Sequence, residues 1–304
     1  GIYLEVYSWW SNVRSPIPSY IVLRDNYLIS KLFCIRSEMA AFDIKGKIAL
    51  VTGGANGIGL AYVKLLLENG LKGIGIVDLN PNGNEVAANI NKQYGDGTAI
   101  FILANVINKG ELSAAFDKTI AQFKGLDIVI NIAGIMYDAD WEKEIALNCN
   151  AVVEGSLLAV KHLGKNNGGK GGVVANIASI LGLQRLAGCP IYVGTKNFVV
   201  GFTRSFGTDY YWNLTGIKFV TICPGVTDTP LISDANRFAL QGYPKLGKLL
   251  ANELGSLPAQ PTSNVAQGMI TLITKGSNGS VWVSEGNEPV YEVAIPERTT
   301  IRKS

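Results

Sequence analysis

Short apolar runs alternate with longer amphipathic stretches along the chain from Lys47 onward. The apolar runs are continuous, which is typical of strands that are buried on both faces of a parallel sheet. They predict strands at 48–51, 74–77, 99–103, 126–130, 173–177, 217–222 and 280–283. The amphipathic stretches predict helices at 60–69, 81–94, 109–123, 141–163 and 191–212. Because strands that alternate with helices form βαβ units, the pattern predicts an α/β fold: a Rossmann-type doubly wound parallel sheet in a single domain.

Two segments depart from this rhythm. Residues 1–38 have no clear periodicity, and the first methionine is Met39. We therefore expect 1–38 to be an N-terminal leader outside the native domain, which would span 39–304; the alternative is an extension that packs on the surface or on a partner. Residues 229–260 are mixed in character and contain several prolines. Segments at this place often cover ligands, so we expect a substrate loop here, with a plain surface loop as the alternative.

Composition narrows the class of protein. With 47% hydrophobic and 17% charged residues, the chain can bury a large core. The net charge of +3 is small and no block of Lys and Arg occurs, so nucleic-acid binding is not expected. No run of about 18 apolar residues occurs, so we expect no membrane span. The scattered cysteines and the single histidine, His162, predict free thiols, no metal site and a cytoplasmic location.

A glycine-rich loop joins the first predicted strand to the first helix, with the order Thr52-Gly53-Gly54-Ala55-Asn56-Gly57-Ile58-Gly59. Glycine allows the tight turn, and it lets a phosphate approach the unpaired N–H groups at the start of the helix. Asp78 follows about 20 residues later, at the end of the second strand, where a carboxylate can bind the ribose hydroxyls of a dinucleotide. Since that carboxylate would repel a 2′-phosphate, the sequence predicts NAD rather than NADP.

Proton-transfer chemistry is indicated by Tyr192 and Lys196, which lie four residues apart on a predicted helix and therefore share one face. Tyrosine ordinarily ionises near pH 10, but a nearby ammonium group favours the phenolate. Ser179 follows the fifth strand and could hydrogen-bond a substrate oxygen. The alternative is that Tyr192 packs in the core and Lys196 is a solvated charge, but the position of Ser179 favours an active site.

These motifs together resemble the short-chain dehydrogenase/reductase family over roughly residues 45–282. The resemblance rests on the glycine loop, Asn131-Ile132-Ala133-Gly134, Asn148, Ser179, Tyr192-Val193-Gly194-Thr195-Lys196 and Pro224-Gly225-Val226-Thr227-Asp228-Thr229. Finer detail is similar to the NAD-dependent branch that contains insect alcohol dehydrogenases and 15-hydroxyprostaglandin dehydrogenases. The stretches that carry it are 140–143, 201–205 and 278–282.

The resemblance implies a role for each matched position. Tyr192 is expected to be the general acid/base, Lys196 to lower its pKa and hold the nicotinamide ribose, Ser179 to orient the substrate, and Asn148 to hold a water in a proton relay. The implied cofactor-binding residues are Gly53, Asn56, Gly57, Ile58, Gly59, Asp78, Asn105, Val106, Asn131, Ala133, Gly134, Tyr192, Lys196, Pro224, Gly225, Val226 and Thr229. A homodimer or homotetramer is also implied, through the helices that carry Asn148 and Tyr192.

Two positions depart from the family pattern. Asn105 stands where the family usually has an aspartate that binds the adenine amine; its amide oxygen can still accept, but without charge, which predicts weaker cofactor binding. Ile132 replaces the second asparagine of the usual Asn-Asn-Ala-Gly. Neither change concerns proton transfer.

The sequence therefore predicts an NAD-dependent enzyme that interconverts a secondary alcohol and its ketone. Apolar residues in the 229–260 segment, such as Phe238, Leu246 and Leu250, suggest a hydrophobic alcohol. The alternatives are an NADP-linked carbonyl reductase, which Asp78 disfavours, and a non-catalytic dinucleotide-binding or storage protein of the same fold.

Overall fold

The computed structural model describes residues 41–229 and 238–302. The predicted leader, 1–38, lies outside the described residues, as does part of the predicted substrate loop. The start of the domain at 39 therefore stays a prediction. No helix within 41–229 or 238–302 is both long and apolar enough to cross a membrane.

A sheet of eight strands forms the centre of the described chain, in the order β3-β2-β1-β4-β5-β6-β7-β8. All neighbouring strands are parallel except β7 and β8, which are antiparallel. The strands are β1 (Ile48–Thr52), β2 (Gly73–Asp78), β3 (Ala99–Leu103), β4 (Ile128–Asn131), β5 (Gly172–Ile177), β6 (Ile217–Pro224), β7 (Val281–Ser284) and β8 (Tyr291–Glu292). The order reverses between β1 and β4, which confirms the predicted doubly wound α/β sheet of the Rossmann type.

Helices cover both faces of this sheet. They are α1 (Gly57–Glu68), α2 (Gly83–Tyr94), α3 (Lys109–Phe123), α4 (Trp141–Ile145), α5 (Ala151–Leu163), α6 (Pro190–Phe206), α7 (Asp209–Thr215), α8 (Leu246–Gly255) and α9 (Thr262–Lys275). Successive strand residues point to opposite faces. In β1, for example, Ala49 and Val51 pack in the core beneath α1 and α9, whereas Leu50 packs beneath α3 and α5. Burial on both faces explains why the strand sequences are continuously apolar.

One predicted helix contains an irregular turn, and another is broken in two. The helix predicted at 141–163 contains a π-helical turn at Ala146–Asn150 between α4 and α5. The helix predicted at 191–212 ends at Phe206, and α7 starts anew at Asp209. The chain breaks at Gly207 because this residue packs against Gly279, where a Cβ atom on Gly207 would collide. The prediction of one continuous helix at 191–212 was therefore wrong in this detail, whereas the helix predicted at 141–163 spans the predicted residues.

The switch in strand order opens a crevice at the carboxyl ends of β1 and β4, where ligands bind in open α/β sheets. The loops that follow β1, β2, β4, β5 and β6 all end at this edge of the sheet. The predicted site residues lie on these loops, on the loop after β3, in the π-helical turn and at the start of α6, so the topology brings them to one side of the sheet.

Candidate active site

The glycine loop makes the turn from β1 into α1 with two residues in the left-handed region, Gly53 at φ 69° and Gly57 at φ 53°. Asn56 caps the helix, since its Oδ1 accepts a hydrogen bond from the Gly57 N–H at 2.7 Å. A Cβ atom on Gly59 would collide with the carbonyl group of Gly53. The loop is therefore compact and presents bare backbone at the positive end of α1, as phosphate binding requires.

Asp78 lies at the end of β2 and is half-buried beside this loop. Its Oδ2 accepts a hydrogen bond from the Ala55 N–H at 3.0 Å, and its Oδ1 accepts one from the Asn80 N–H at 3.0 Å. These two bonds fix the carboxylate next to the glycine loop. Each oxygen keeps a further lone pair, so ribose hydroxyls could still donate to it.

Asn105 and Val106 follow β3. Asn105 Oδ1 already accepts a hydrogen bond from the Ile107 N–H at 3.1 Å, and the Asn105 N–H donates to Glu111 Oε2 at 2.7 Å. Val106 is buried in the core. The amide oxygen of Asn105 therefore keeps one lone pair that an adenine amine could use; the weaker cofactor binding at this position stays a prediction.

Residues 131–134 follow β4 and divide between core and cleft. Asn131 is buried, and its Nδ2 donates to Asn176 Oδ1 at 2.8 Å on the neighbouring strand. The Ala133 N–H donates to Thr52 Oγ1 at 3.3 Å, which ties this loop to the end of β1. Gly134 lines the pocket. Thr52 and Asn176, which the sequence did not single out, thus support this loop through hydrogen bonds.

Asn148 lies in the π-helical turn and is buried. Its side chain exchanges two hydrogen bonds with the backbone of Ile135, at 2.9 Å and 2.8 Å, and its Nδ2 donates to Thr195 Oγ1 at 3.1 Å. The turn therefore directs an amide from the α4–α5 segment onto α6, which carries Tyr192 and Lys196. Such turns are frequent at functional sites.

Ser179 and Tyr192 meet across the pocket. Ser179 Oγ accepts a hydrogen bond from the Leu181 N–H at 3.1 Å, which caps a short turn after β5. Burial raises the pKa of Tyr192 well above its usual value, and the nearby Ser179 hydroxyl lowers it in part. The hydroxyl groups of both residues thus face the same small space.

Lys196 is buried one helical turn beyond Tyr192, with its Nζ 5.4 Å from the centre of the tyrosine ring. This Nζ donates a hydrogen bond to the Ile177 carbonyl at 3.1 Å. Burial lowers the pKa of Lys196 to about 8, so its ammonium group holds its proton less tightly than an exposed lysine does. The solvated-charge alternative for Lys196 therefore does not hold.

The loop after β6 closes the cleft from the other side. The Gly225 N–H donates to the Ser284 carbonyl at 2.8 Å, and the Gln260 N–H donates to the Val226 carbonyl at 3.0 Å. A Cβ atom on Gly57 would lie 3.5 Å from Thr229 Cγ2, so this loop and the glycine loop are neighbours.

One pocket joins these parts of the site. Ser179, Tyr192 and Lys196 lie on its polar side. Most of its other lining side chains are apolar, and they include Met136, Ile180, Leu181, Val226, Leu254 and Leu257. The arrangement can hold a ligand between the glycine loop and the tyrosine, with an apolar wall beyond.

Sequence reasoning missed three acidic residues that support this site: Asp138, Glu144 and Glu253. Asp138 and Glu144 are fully buried, and all three accept hydrogen bonds from backbone N–H groups. Their partners lie up to 66 residues away in the sequence. A single sequence offers little sign of such contacts, apart from acidic residues within otherwise apolar segments.

Known proteins with similar sequences are dehydrogenases, which agrees with the arrangement of this site. The sequence model of the short chain dehydrogenase family matches residues 47–239. The 15-hydroxyprostaglandin dehydrogenase [NAD(+)] of Rattus norvegicus is 34% identical over 244 residues, which cover 78% of this chain and 90% of the relative. Alcohol dehydrogenase 2 of Ceratitis capitata is 29% identical over 243 residues, which cover 79% of this chain and 92% of the relative.

Solved structures share the fold. The 3-ketoacyl-(acyl-carrier-protein) reductase of Brucella melitensis, complexed with NADH, aligns with a TM-score of 0.65 at 23% identity over 80% of this chain and 98% of its own. The sheet, the cleft and the sequence match define an oxidoreductase of the Rossmann type. The chain belongs to the short-chain dehydrogenase family.

Proposed function

We propose that this protein is an NAD-dependent oxidoreductase that interconverts a secondary alcohol and its ketone by hydride transfer. The observation that carries the proposal is the burial of Tyr192 and Lys196 beside Ser179, in a pocket that extends to the glycine loop. The relatives support it, since they include an NAD(+)-dependent 15-hydroxyprostaglandin dehydrogenase and an alcohol dehydrogenase.

The residues present fit a dinucleotide. Gly53 and Gly57 form a cradle that side chains would fill, and α1 offers its positive end to the pyrophosphate. Asp78 would accept hydrogen bonds from the adenosine ribose, and its charge would oppose a 2′-phosphate, which favours NAD over NADP. Pro224, Gly225, Val226 and Thr229 would adjoin the nicotinamide. When bound, the cofactor supplies the hydride acceptor.

Tyr192 would remove the hydroxyl proton of the alcohol, and Ser179 would orient that hydroxyl by hydrogen bonding. The buried Tyr192 does not ionise readily alone, because burial raises its pKa. A positive Lys196 nearby favours the phenolate, so the two side chains work as a pair. Asn148, which lies near Lys196 behind the pocket-lining Gly134, would hold a water that passes the proton to solvent.

The substrate is proposed to be a hydrophobic alcohol. Met136, Leu254 and Leu257 give the pocket an apolar wall, and burial of apolar surface there would favour an uncharged carbon skeleton. Leu254 and Leu257 belong to the 229–260 segment, which supports its proposed role as a substrate loop.

A homodimer or homotetramer in the cytoplasm completes the proposal. Leu157 on α5 and Phe198 on α6 are large apolar side chains that are 47% and 40% exposed, on the segments that carry Asn148 and Tyr192. A second copy of the chain would cover them. Free, buried thiols at Cys149, Cys189 and Cys223 fit a reducing compartment.

Incubation with NAD or NADP and a panel of secondary alcohols, followed by absorbance of the reduced cofactor, tests the proposal. NAD should support turnover and NADP should not; the opposite preference would indicate an NADP-linked carbonyl reductase. Tyr192→Phe should abolish turnover, whereas Tyr210→Phe, at a residue that is 69% exposed, should leave it unchanged. Tight cofactor binding without any turnover would indicate a non-catalytic binding protein.

A further inference from the structure

The first turn of α6 is capped from outside the helix. Cys189 at the N-cap makes no side-chain hydrogen bond, and Pro190 has no N–H to offer. Asp138 supplies the cap instead: its Oδ2 accepts from the Ile191 N–H at 2.8 Å, and its Oδ1 accepts from the Tyr192 N–H at 3.0 Å. The carboxylate thus holds the backbone of the very residue whose hydroxyl enters the pocket.

Glu144 lies next to this cap and is fully buried on α4. Its Oε1 accepts a hydrogen bond from the Tyr137 N–H at 2.9 Å. Its Oε2 is also buried, but no donor among the described residues bonds to it. Asp138 directly follows Tyr137 in the chain and is also fully buried, and its carboxyl group interacts with that of Glu144. Two adjacent buried carboxyl groups cannot both be ionised without a large cost, so one of them holds a proton.

The hydrogen bonds indicate which of the two carboxyl groups, Asp138 or Glu144, is protonated. Asp138 accepts from two backbone N–H groups at the positive end of α6, and both effects stabilise its charge. Glu144 accepts from only one N–H. Burial raises the pKa of Glu144 to about 8, the Tyr137 N–H opposes this, and the nearby charge of Asp138 adds to it.

We propose that Glu144 is a positioning residue: a protonated Oε2 donates a hydrogen bond to Asp138 and so holds the carboxylate that caps the helix of Tyr192. The hydrogen bond gives the orphan oxygen a partner and removes the repulsion between the two carboxyl groups. Loss of the proton would place a second negative charge against Asp138 and would loosen the cap.

Other titratable groups also face Glu144, and their charges affect whether its carboxyl group is protonated. The titratable groups close to it are Asp138 before α4, Cys149 in the π-helical turn, Cys189 at the start of α6, and Tyr192 and Lys196 on α6. Lys196 alone among these is positive and favours ionisation of Glu144.

The proposal rests on the proposed function only for its effect on turnover. The protonation of Glu144 itself can be measured without a substrate.

The state of Glu144 is testable in the unmodified protein. In protein labelled with ¹³C-glutamate, one glutamate carboxyl signal should titrate well above the usual value of about 4.3, near pH 8. Titration of every glutamate in the usual acidic range would overturn the proposal, whether or not any alcohol is turned over.

Urea unfolding provides the second measurement. Glu144→Gln mimics the protonated acid because it keeps one donor and one acceptor. Since the pKa of Glu144 is raised in the folded state, the stability it contributes is full below about pH 4.3 and is lost as pH rises towards 8. Between about pH 4.3 and pH 8, the unfolding constant of the wild type should therefore increase relative to that of Glu144→Gln, by up to about tenfold per pH unit. The exposed control Glu142→Gln should stay parallel to the wild type; a constant ratio for Glu144→Gln would overturn the proposal.

Turnover reports on the positioning role itself. Glu144→Ala should lower kcat by about three- to tenfold with little change in KM, and Glu144→Gln should restore it. Above about pH 8 the wild type should lose rate relative to Glu144→Gln, because Glu144 ionises there. Identical pH profiles for the wild type and Glu144→Gln, together with no rescue of Glu144→Ala, would assign Glu144 no role in positioning Tyr192.

Discussion

Glu253 and Gly188 are joined by a hydrogen bond of 2.8 Å from the glycine N–H to Oε2 of the carboxylate. The neighbouring Ala187 N–H donates to Oε1 of the same carboxylate at 3.2 Å. Glu253 lies on α8, and the two N–H groups lie on the loop that leads into α6. Because Leu254 next to Glu253 lines the pocket, this contact fixes one pocket wall relative to Tyr192.

Removal of this carboxylate should weaken substrate binding more than catalysis. Glu253→Ala is expected to raise the KM for the alcohol by about three- to tenfold, which is roughly the contribution of one modest hydrogen bond. The value of kcat should change less, since no reacting group moves. Steady-state kinetics would check this, with Asn252→Ala, an exposed neighbour on α8, as the control. An unchanged KM would mean that α8 keeps its place without Glu253.

Gly188 also permits close packing beneath α8. A Cβ atom on Gly188 would lie 2.6 Å from the Cα and Cβ atoms of Leu250, which is fully buried. Gly188→Ala should therefore displace α8, raise the KM for the alcohol and increase cleavage of the 238–255 segment by a protease. Gly255→Ala, where nothing lies within 4 Å, is the matched control. Equal protease resistance of the two variants would contradict this account.

The strands and the cleft could be predicted because their signals are local. Continuous apolar runs marked the strands, and the spacing of Tyr192 and Lys196 placed both on one helical face. The π-helical turn at Ala146–Asn150 could not be predicted from periodicity, since it accompanies hydrogen bonds between Asn148 and distant backbone. The break at Gly207 depends in the same way on contact with Gly279.

The residues that support the site could not be predicted from the sequence either. Asp138 accepts a hydrogen bond from the N–H of Tyr192, 54 residues away in the sequence, and Glu253 accepts one from the N–H of Gly188, 65 residues away. Their chemistry follows from tertiary contacts, because an isolated acidic residue in a helix or turn most often faces solvent. The residues proposed to contact a ligand carry a sequence pattern, whereas the residues that hold them in place do not.

Cofactor choice should depend on the charge of Asp78. Asp78→Asn keeps the size of the side chain but removes the negative charge, and it weakens the bonds to Ala55 and Asn80. The KM for NAD should rise by about tenfold or more, in line with loss of charge-assisted hydrogen bonds, and the ratio of NADP to NAD turnover should rise too. Kinetics with both cofactors would check this, with the exposed Asp96→Asn as the control. An unaltered ratio would show that another feature excludes the 2′-phosphate.

Lys218 offers a test of electrostatics away from the active site. It is only 4% exposed on β6, and its Nζ donates to the Ile273 carbonyl at 2.7 Å near the end of α9. Burial lowers the pKa of Lys218 to about 8, against about 10.4 in the unfolded chain. Between these values the folded protein binds fewer protons than the unfolded chain, so its stability rises with pH.

Lys218→Met removes this titration. The free energy of unfolding of the wild type should therefore increase relative to Lys218→Met as pH rises from about 8 to about 10.4, by at most about 1.4 kcal/mol per pH unit. Below about pH 8 the difference should be constant, because the lysine is protonated in both states. Urea unfolding across this range would check it, and the exposed Lys72→Met should follow the wild type throughout. A difference that stays constant up to pH ~10 would mean that Lys218 retains its proton in the folded protein despite its burial.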